Sequence, residues 1–501
     1  MNTTSKEYHD KTSYHRHKMS PHFLDWQNQP SLYKTYPGID PVELPTRPKI
    51  PRVNLQSLLL APSLPPGSKE IDIEALSSIF LLTYSITGKA RHAGEDFYFR
   101  SAASAGALYP CELYVSAQKI QGLEDGLYHF SIARHGLSPL RKGPVNSWAN
   151  SLIAPSAPST PLLIFFLSAI FFRSAWKYRD RAYRYCLLDT GHVLENLVLA
   201  LRAWGLDFQV SYDFHDAQVN QLLGLDESRE VALATCRVWS SQEIKDPASQ
   251  QAGKVLFRGN QLSELVKGSS RVSVVEKQYP LIEDIHASSS WTSSQTSRPC
   301  TQWKTGDNPS IWLSIEPSTP WPKDKVLEEV ITKRRSKRNF VSVLTDKSHL
   351  RAILNSLSDD NGSYYRPCVS IQLLLERVEG HQPGHYLLEP MAHRYGLLQP
   401  GEFIRTMASI CLDQMWLANA TVHFMFIADL DHLHEAIGPR AYRYTLLEAG
   451  RLGERIYLIS TALGLGCCGI GAFYDNEAAQ LLDLKGGERL LYLVASGPIK
   501  K

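Results

Sequence analysis

Arg181-Ala-Tyr-Arg-Tyr-Cys-Leu-Leu-Asp-Thr-Gly191 decides the reading of this chain, because it occurs twice. Arg440-Ala-Tyr-Arg-Tyr-Thr-Leu-Leu-Glu-Ala-Gly450 repeats it 259 positions later. The offset holds further on without a gap: Gly205 falls on Gly464, Phe214 on Phe473, Leu222 and Leu223 on Leu481 and Leu482, and Leu225 on Leu484. Register kept over that distance means two related halves. The question becomes which half kept which chemistry.

Outward from the first copy, the stretch opens a long helix to Trp204, with Leu187, Leu188, Leu194, Leu197, Leu201 and Trp204 on its buried side. Gly205 ends it. Upstream, the apolar run 162–172 reads as a strand buried on both faces. Ile73, Leu76, Ile79, Phe80 and Leu82 fit one helix face. A loop with Gly88 and Gly94 follows, and then strands over 111–115, 126–130 and 231–239. In the second half, helices are expected over 325–333, 348–356 and 440–463, with a last strand over 490–496. Helices and strands alternate loosely in both halves, which predicts an α+β class. The expected organisation is an extended N-terminal arm (1–70), a first half (71–240), a linker (241–322) and a second half (323–501). Prolines 41, 45, 48, 51, 62, 65 and 66 keep long helices out of the arm. The linker's centre, 287–309, is dense in Ser, Thr, Asn and Pro and cannot pack a core of its own.

A chain of 501 residues with 43% hydrophobic and 21% charged residues is of ordinary globular composition. A net charge of +3 gives no reason to expect nucleic acid or an anionic membrane as partner. The first twenty residues carry no apolar core of a signal peptide, and the longest apolar run is too short to cross a bilayer. Eight cysteines without a repeated spacing argue for reduced thiols in a cytoplasmic protein.

Gly464-Leu-Gly-Cys-Cys-Gly469 matches G-x-G-x-x-G, but a dinucleotide-binding motif needs a strand before it and a helix after it. Here a long helix precedes and strand-like residues follow. Lys333-Arg-Arg-Ser-Lys-Arg338 sets five cations and a hydroxyl within six residues at a helix end. It is either a solvated terminus favoured by the helix dipole or a phosphate clamp, since arginine forks bind phosphate oxygens bidentately. Lys177-Tyr178 lies just upstream of the repeated helix and projects onto Ala436 and Ile437 in the other copy. A lysine beside a tyrosine lowers the phenol's pKa and makes it a usable base. The alternative is a surface lysine beside a packed ring. Asp431-His-Leu-His434 reads as a polar loop, and no metal site is expected.

These residues together resemble the nitroreductase-like flavoproteins of the SagB/ThcOx-type branch. Arg334-Arg-Ser-Lys-Arg-Asn-Phe340 is similar to their phosphate motif, and Arg100-Ser-Ala-Ala-Ser-Ala-Gly-Ala-Leu-Tyr-Pro110 to their serine- and glycine-rich flavin loop. Ala182-Tyr-Arg-Tyr185 and Ala441-Tyr-Arg-Tyr444, each followed by Leu-Leu, an acid and Gly, are typical of the branch, as is the arm around residues 20–30. The resemblance implies an FMN enzyme whose usual homodimer is here fused into one chain. The fold would be two tandem α+β domains forming an intramolecular pseudo-dimer.

The implied motifs are unevenly shared. The second half keeps the arginines and the turn Gly469-Ile-Gly-Ala472, but opposite the flavin loop it has Tyr364-Tyr-Arg-Pro-Cys-Val-Ser370. The first half keeps the small-residue loop, has only His15-Arg-His-Lys18 as a poor basic match, and replaces the glycine turn with Val210-Ser-Tyr-Asp213. The implied FMN ligands are therefore Ser101, Ala102, Ser104, Ala105, Gly106 and Leu108 from the first half. From the second come Arg334, Arg335, Ser336, Arg338, Gly469, Ile470, Gly471, Ala472 and Lys500. One FMN per chain is expected.

The resemblance further implies that Lys177 and Tyr178 are catalytic, as in azoline dehydrogenases that turn peptide thiazolines and oxazolines into azoles. The substrate would be a small molecule or peptide, with room for a biosynthetic partner protein to carry it and for two chains to pair. An NAD(P)H-dependent nitro or quinone reductase is the second hypothesis. A flavin-free scaffold or peptide-binding subunit is the third.

Overall fold

The structure, a computed structural model, describes residues 4–19, 23–60, 71–92, 95–157, 159–239, 262, 264–292, 308–316, 324–358 and 363–500. The expected linker and arm lie partly outside these residues. The chain divides into two units. The leading unit comprises Leu24–Arg52 and Ser63–Ser297; the trailing unit comprises Met1–Phe23, Val53–Pro62 and Arg298–Lys501.

Each unit is built on a seven-stranded antiparallel sheet. In the leading unit the order is Val42–Glu43, Gly136–Lys142, Gly126–Ser131, Cys111–Ala117, Leu163–Ile170, Glu230–Trp239, Asp207–Ser211. The trailing unit repeats it with Trp312–Ser314, Arg394–Pro400, Gly384–Glu389, Ser370–Leu375, Val422–Asp429, Glu488–Gly497, Gly466–Ile470. The long helices, Ala182–Ala203 and Ala441–Ala462, keep the 259-residue offset to both ends. The strands Glu230–Trp239 and Glu488–Gly497 stand 258 apart, so one residue is lost between the copies before the last strand. The two-domain α+β expectation is met.

The long helix of the leading unit is buried along its whole length, polar residues included. Such a helix runs through a core rather than over it, and its Arg184, Asp189, His192 and Glu195 must find partners inside. Leu163–Ile170 is buried at every position, as a strand covered on both faces should be. Phe171 and Phe172, expected within that strand, begin the helix Phe171–Tyr178 instead. The chain stays apolar as it turns, because both sides of the turn are buried. The loop expected around Gly88 is a hairpin of Ile86–His92 with Glu95–Arg100; Gly94 lies outside the described residues. Asp431 to His434 sit in the helix Leu430–Ile437, not a loop. Among the described residues no acid, His and Cys group could hold a metal, and no helix is long and apolar enough to cross a membrane. Among the described residues six cysteines are free and buried, but Cys368 is disulfide-bonded, which departs from the reduced-thiol expectation.

A second repeat, offset by 277, joins residues expected in the arm to residues expected in the linker. In the trailing unit, Ser5–Lys11 is a helix, and His9 Nδ1 meets Tyr442 Oη at 3.2 Å. Ser13 Oγ donates to His9 O at 2.8 Å, and Tyr14 N to Asp475 Oδ2 at 2.8 Å. In the leading unit, Pro280–Ser288 is a helix, and His286 Nδ1 meets Tyr183 Oη at 3.2 Å. Ser290 Oγ donates to His286 O at 2.8 Å, and Trp291 N to Asp216 Oδ2 at 2.7 Å. The receiving residues are themselves 259 apart. Each unit is thus clipped by the same short helical device.

Candidate functional site

The candidate residues fall into two clusters, one in each unit. In the leading unit the loop 101–108 follows the strand Glu95–Arg100. Ser101 Oγ donates to Thr83 O at 2.9 Å and accepts from Ser85 N at 3.1 Å, which fixes the loop's start, and Ala102 is buried behind it. Ser104 Oγ donates to Asp189 Oδ2 at 2.5 Å and accepts from Tyr109 N at 2.9 Å; Ala105 N donates to Asp189 Oδ1 at 3.1 Å. Between these anchors the backbone enters the left-handed region at Gly106 (φ 64°), Ala107 (φ 53°) and Tyr109 (φ 48°). Such angles cost energy in non-glycine residues, so the loop's shape depends on its anchors.

Gly106 needs its missing side chain for a second reason. A Cβ there would stand 2.7 Å from Tyr178 Oη and 3.3 Å from Lys177 Nζ. The loop at Gly106 and the Lys177-Tyr178 pair, 71 residues on in sequence, therefore meet at one point. Both side chains are half-buried, and the backbone at Gly106 is exposed. The pair ends the helix Phe171–Tyr178, where Arg179 (φ 50°) turns the chain away. Lys177 Nζ lies 5.5 Å from the centre of the Tyr178 ring, and that ring packs on Tyr185 at 4.3 Å between centroids. The helix is pinned by Arg173, which donates to Glu112 Oε1 at 2.6 Å and to Ser31 O at 2.8 Å. Burial alone would raise Glu112, but Arg173 and His129 outweigh it and hold the carboxyl down at about 2.

Asp189 escaped the sequence reading. Its counterpart Glu448 is also an acid, but it accepts from Arg451 at 3.0 Å, so the pattern Leu-Leu-acid did not mark a loop anchor. The usable signal was the nearby loop of small residues, present in one copy only. Burial pushes Asp189 up to about 6, against the pull of the Ser104 hydroxyl, His192 and Ala105 N–H. An unfolded aspartate titrates near 4. The folded state therefore holds this proton more tightly, and the stability it confers is full below about pH 4 and lost as pH rises through about 6. Relative to the native chain, Asp189→Asn is expected to gain about 2 kcal/mol between pH 4.5 and pH 7. Thermal unfolding at the two pH values reads the difference; equal shifts at both would refute it.

In the trailing unit, Arg334-Arg-Ser-Lys-Arg338 follows the helix Leu327–Lys333. Arg334 is buried, 3.8 Å from Glu454 Oε1 and 5.5 Å over the Tyr457 ring. Arg335 Nη1 donates to Thr332 O at 3.0 Å, capping the helix end as a cation near a C-terminus does. Ser336 and Arg338 are exposed. Tyr457 Oη joins the segment to the glycine turn: it meets Ser336 Oγ at 3.0 Å and accepts from Gly469 N at 2.7 Å. Gly469 and Ile470 end the strand Gly466–Ile470, and Gly471 and Ala472 follow it, partly exposed. The strand after the long helix bears out the rejection of the dinucleotide-binding reading. Lys500 N donates to Asn339 O at 3.0 Å, which ties the chain's end to the same segment. Guanidinium groups, a hydroxyl and backbone N–H groups at a helix end suit a phosphate. A loop with exposed backbone and no Cβ at Gly106 suits the close approach of a flat ring.

Residues 68–238 and 331–497 match the family model described as Nitroreductase family. A Methanocaldococcus jannaschii protein described as a nitroreductase is 30% identical over 181 residues, 34% of this chain and 91% of that protein. The trifolitoxin-processing protein TfxB of Rhizobium leguminosarum bv. trifolii is 30% identical over 34% of this chain and 47% of its own length. The microcin B17-processing protein McbC of Escherichia coli is 28% identical over 26% and 49%. The chain thus spans about half the length of these two processing proteins. A solved structure from Anabaena variabilis, also described as a nitroreductase, aligns over 100% of both chains with a TM-score of 0.77 and 24% identity, and shares the fold.

Proposed function

The chain belongs to the nitroreductase family, with the family's domain present twice, and on that premise we propose that it is an FMN-dependent dehydrogenase of azoline rings. It would convert a thiazoline or oxazoline, in a peptide or small molecule, to the azole. The observation that carries this reading is the meeting of the exposed Gly106 backbone with Lys177 and Tyr178. When bound, FMN supplies a two-electron acceptor. The chain's own part is to hold and move the proton. Tyr178 Oη takes it from the ring carbon, and the Lys177 ammonium beside the phenol favours the ionised form. In the trailing unit, Arg334, Arg335, Ser336, Arg338, Lys500 and the turn Gly469 to Ala472 are suited to a phosphate; in the leading unit, residues 101–108 are suited to a flavin ring system. The processing names of TfxB and McbC support a peptide substrate borne by a biosynthetic partner.

Titration of the apoprotein is expected to saturate at one FMN per chain, read from the visible spectrum. Two would end the single-site reading, and none would leave a flavin-free scaffold. The nitroreductase description of the M. jannaschii relative favours a reductase as the second reading. Rapid bleaching by NAD(P)H alone under nitrogen, without azoline oxidation, would select it.

A further inference from the structure

We propose that residues 276–279 and Ile282, with Phe171, Phe172, Ser228 and Arg229, form a pocket that receives one apolar or aromatic side chain of the substrate, next to the ring that Lys177 and Tyr178 act on. The proposal rests on the azoline reading and adds what flanks the ring.

Most of these residues fall in a stretch whose composition reads as linker, yet they are built into the leading unit at both ends. Ser270 Oγ donates to Glu230 Oε2 at 2.7 Å, and Ser31 N to Val272 O at 2.8 Å. Glu276 closes the turn, accepting from Val272 N at 2.6 Å and Ser273 N at 3.1 Å, while its other oxygen takes Arg229 Nε at 2.8 Å. Beyond, the helix Pro280–Ser288 is clipped through His286 to Tyr183.

Between these fixed ends the segment shares an apolar cluster with the catalytic helix. Val272 is buried with Leu108, Ile170, Phe172 and Trp176, and both Tyr178 and Tyr279 pack against that cluster. Tyr279 also faces the turn that follows the pair: burial and the nearby Asp180 carboxyl raise its phenol.

Behind Tyr279 lies a cavity of about 250 Å³, lined among others by Phe171, Phe172, Tyr279, Ile282, Arg229 and Lys277. Sites that enclose a whole ligand run from about 300 to 1,000 Å³. This one suits a single residue-sized group. Three aromatic rings and Ile282 favour an apolar group there. Arg229 is answered by Asp226 and Glu276, and Lys277 Nζ lies 5.5 Å over the Tyr279 ring, so neither cation is set for an anion alone. A pocket of this kind separates a bulky apolar group from none by about tenfold or more.

The test uses the flavin-loaded full chain and two synthetic peptides, each with one thiazoline, flanked by Phe in one and by Gly in the other. The native chain is expected to favour the Phe peptide at least about tenfold in kcat/KM. Ser228→Trp and Gln278→Trp, exposed positions that line the cavity, are expected to bring the ratio to about one, with unfolding temperature confirming the fold. A ratio near one in the native chain, or one that survives both fillings, overturns the pocket. If neither peptide is oxidised, the azoline reading fails, and calorimetric binding of the corresponding thiazole peptides decides the pocket alone. Tighter binding of the Phe peptide, lost on filling, upholds it; equal binding refutes it.

Discussion

Tyr178→Phe is expected to lower azoline turnover by about 10²- to 10⁴-fold, the range for loss of a general base, with flavin content and unfolding temperature unchanged. The substitution removes one oxygen and keeps the ring that packs on Tyr185 at 4.3 Å. The lost oxygen is the atom that reaches the exposed loop at Gly106. Lys177→Met should give a smaller loss, since on the proposed reading the lysine acts on the base rather than on substrate. Single-turnover bleaching of the flavin by substrate under nitrogen isolates the chemical step from reoxidation. A Tyr178→Phe enzyme that bleaches at the native rate would remove the tyrosine from the mechanism.

Lys34→Met is expected to destabilise the leading unit by about 3–5 kcal/mol, the range for breaking a buried ion pair from one side. Lys34 and Glu230 form a salt bridge with neither side chain exposed. The carboxylate also accepts from Tyr114 Oη, Ser168 Oγ and Ser270 Oγ, each at 2.7 Å. Burial alone would raise Glu230, but Lys34 and these hydroxyls hold it below the ordinary range. Without the ammonium, the site must keep an unanswered charge or take up a proton. In a unit of this size the shift in Tm should be roughly 10 °C. Lys34→Met with Glu230→Leu should recover much of it, because the pair together is worth far less than either partner left alone. A single variant that melts with the native chain would contradict this account.

The fold was largely legible because the long helix is buried throughout and so tolerates little change between copies. Its offset also carried the candidate glycine turn and the Lys177-Tyr178 projection. Partners that exist only in space were not legible. Asp189 looks like any acid in a helix until Ser104 is found beside it. The helix Pro280–Ser288 was missed because only Ile282, Ile285 and His286 are buried. That single i, i+3, i+4 set is short, and the Ser- and Thr-rich residues just after it read as linker. The hairpin at 86–100 was missed because Gly88 reads as loop, although it sits at a bulge in the pairing.

The two units interleave along the chain, the trailing one drawing on Met1–Phe23, Val53–Pro62 and Arg298–Lys501. No single scission can therefore release the trailing body whole. Cutting the gene near codon 298 would strand the clipping helix Ser5–Lys11 on the polypeptide that carries the leading unit. A split form would have to supply that helix again with the trailing fragment.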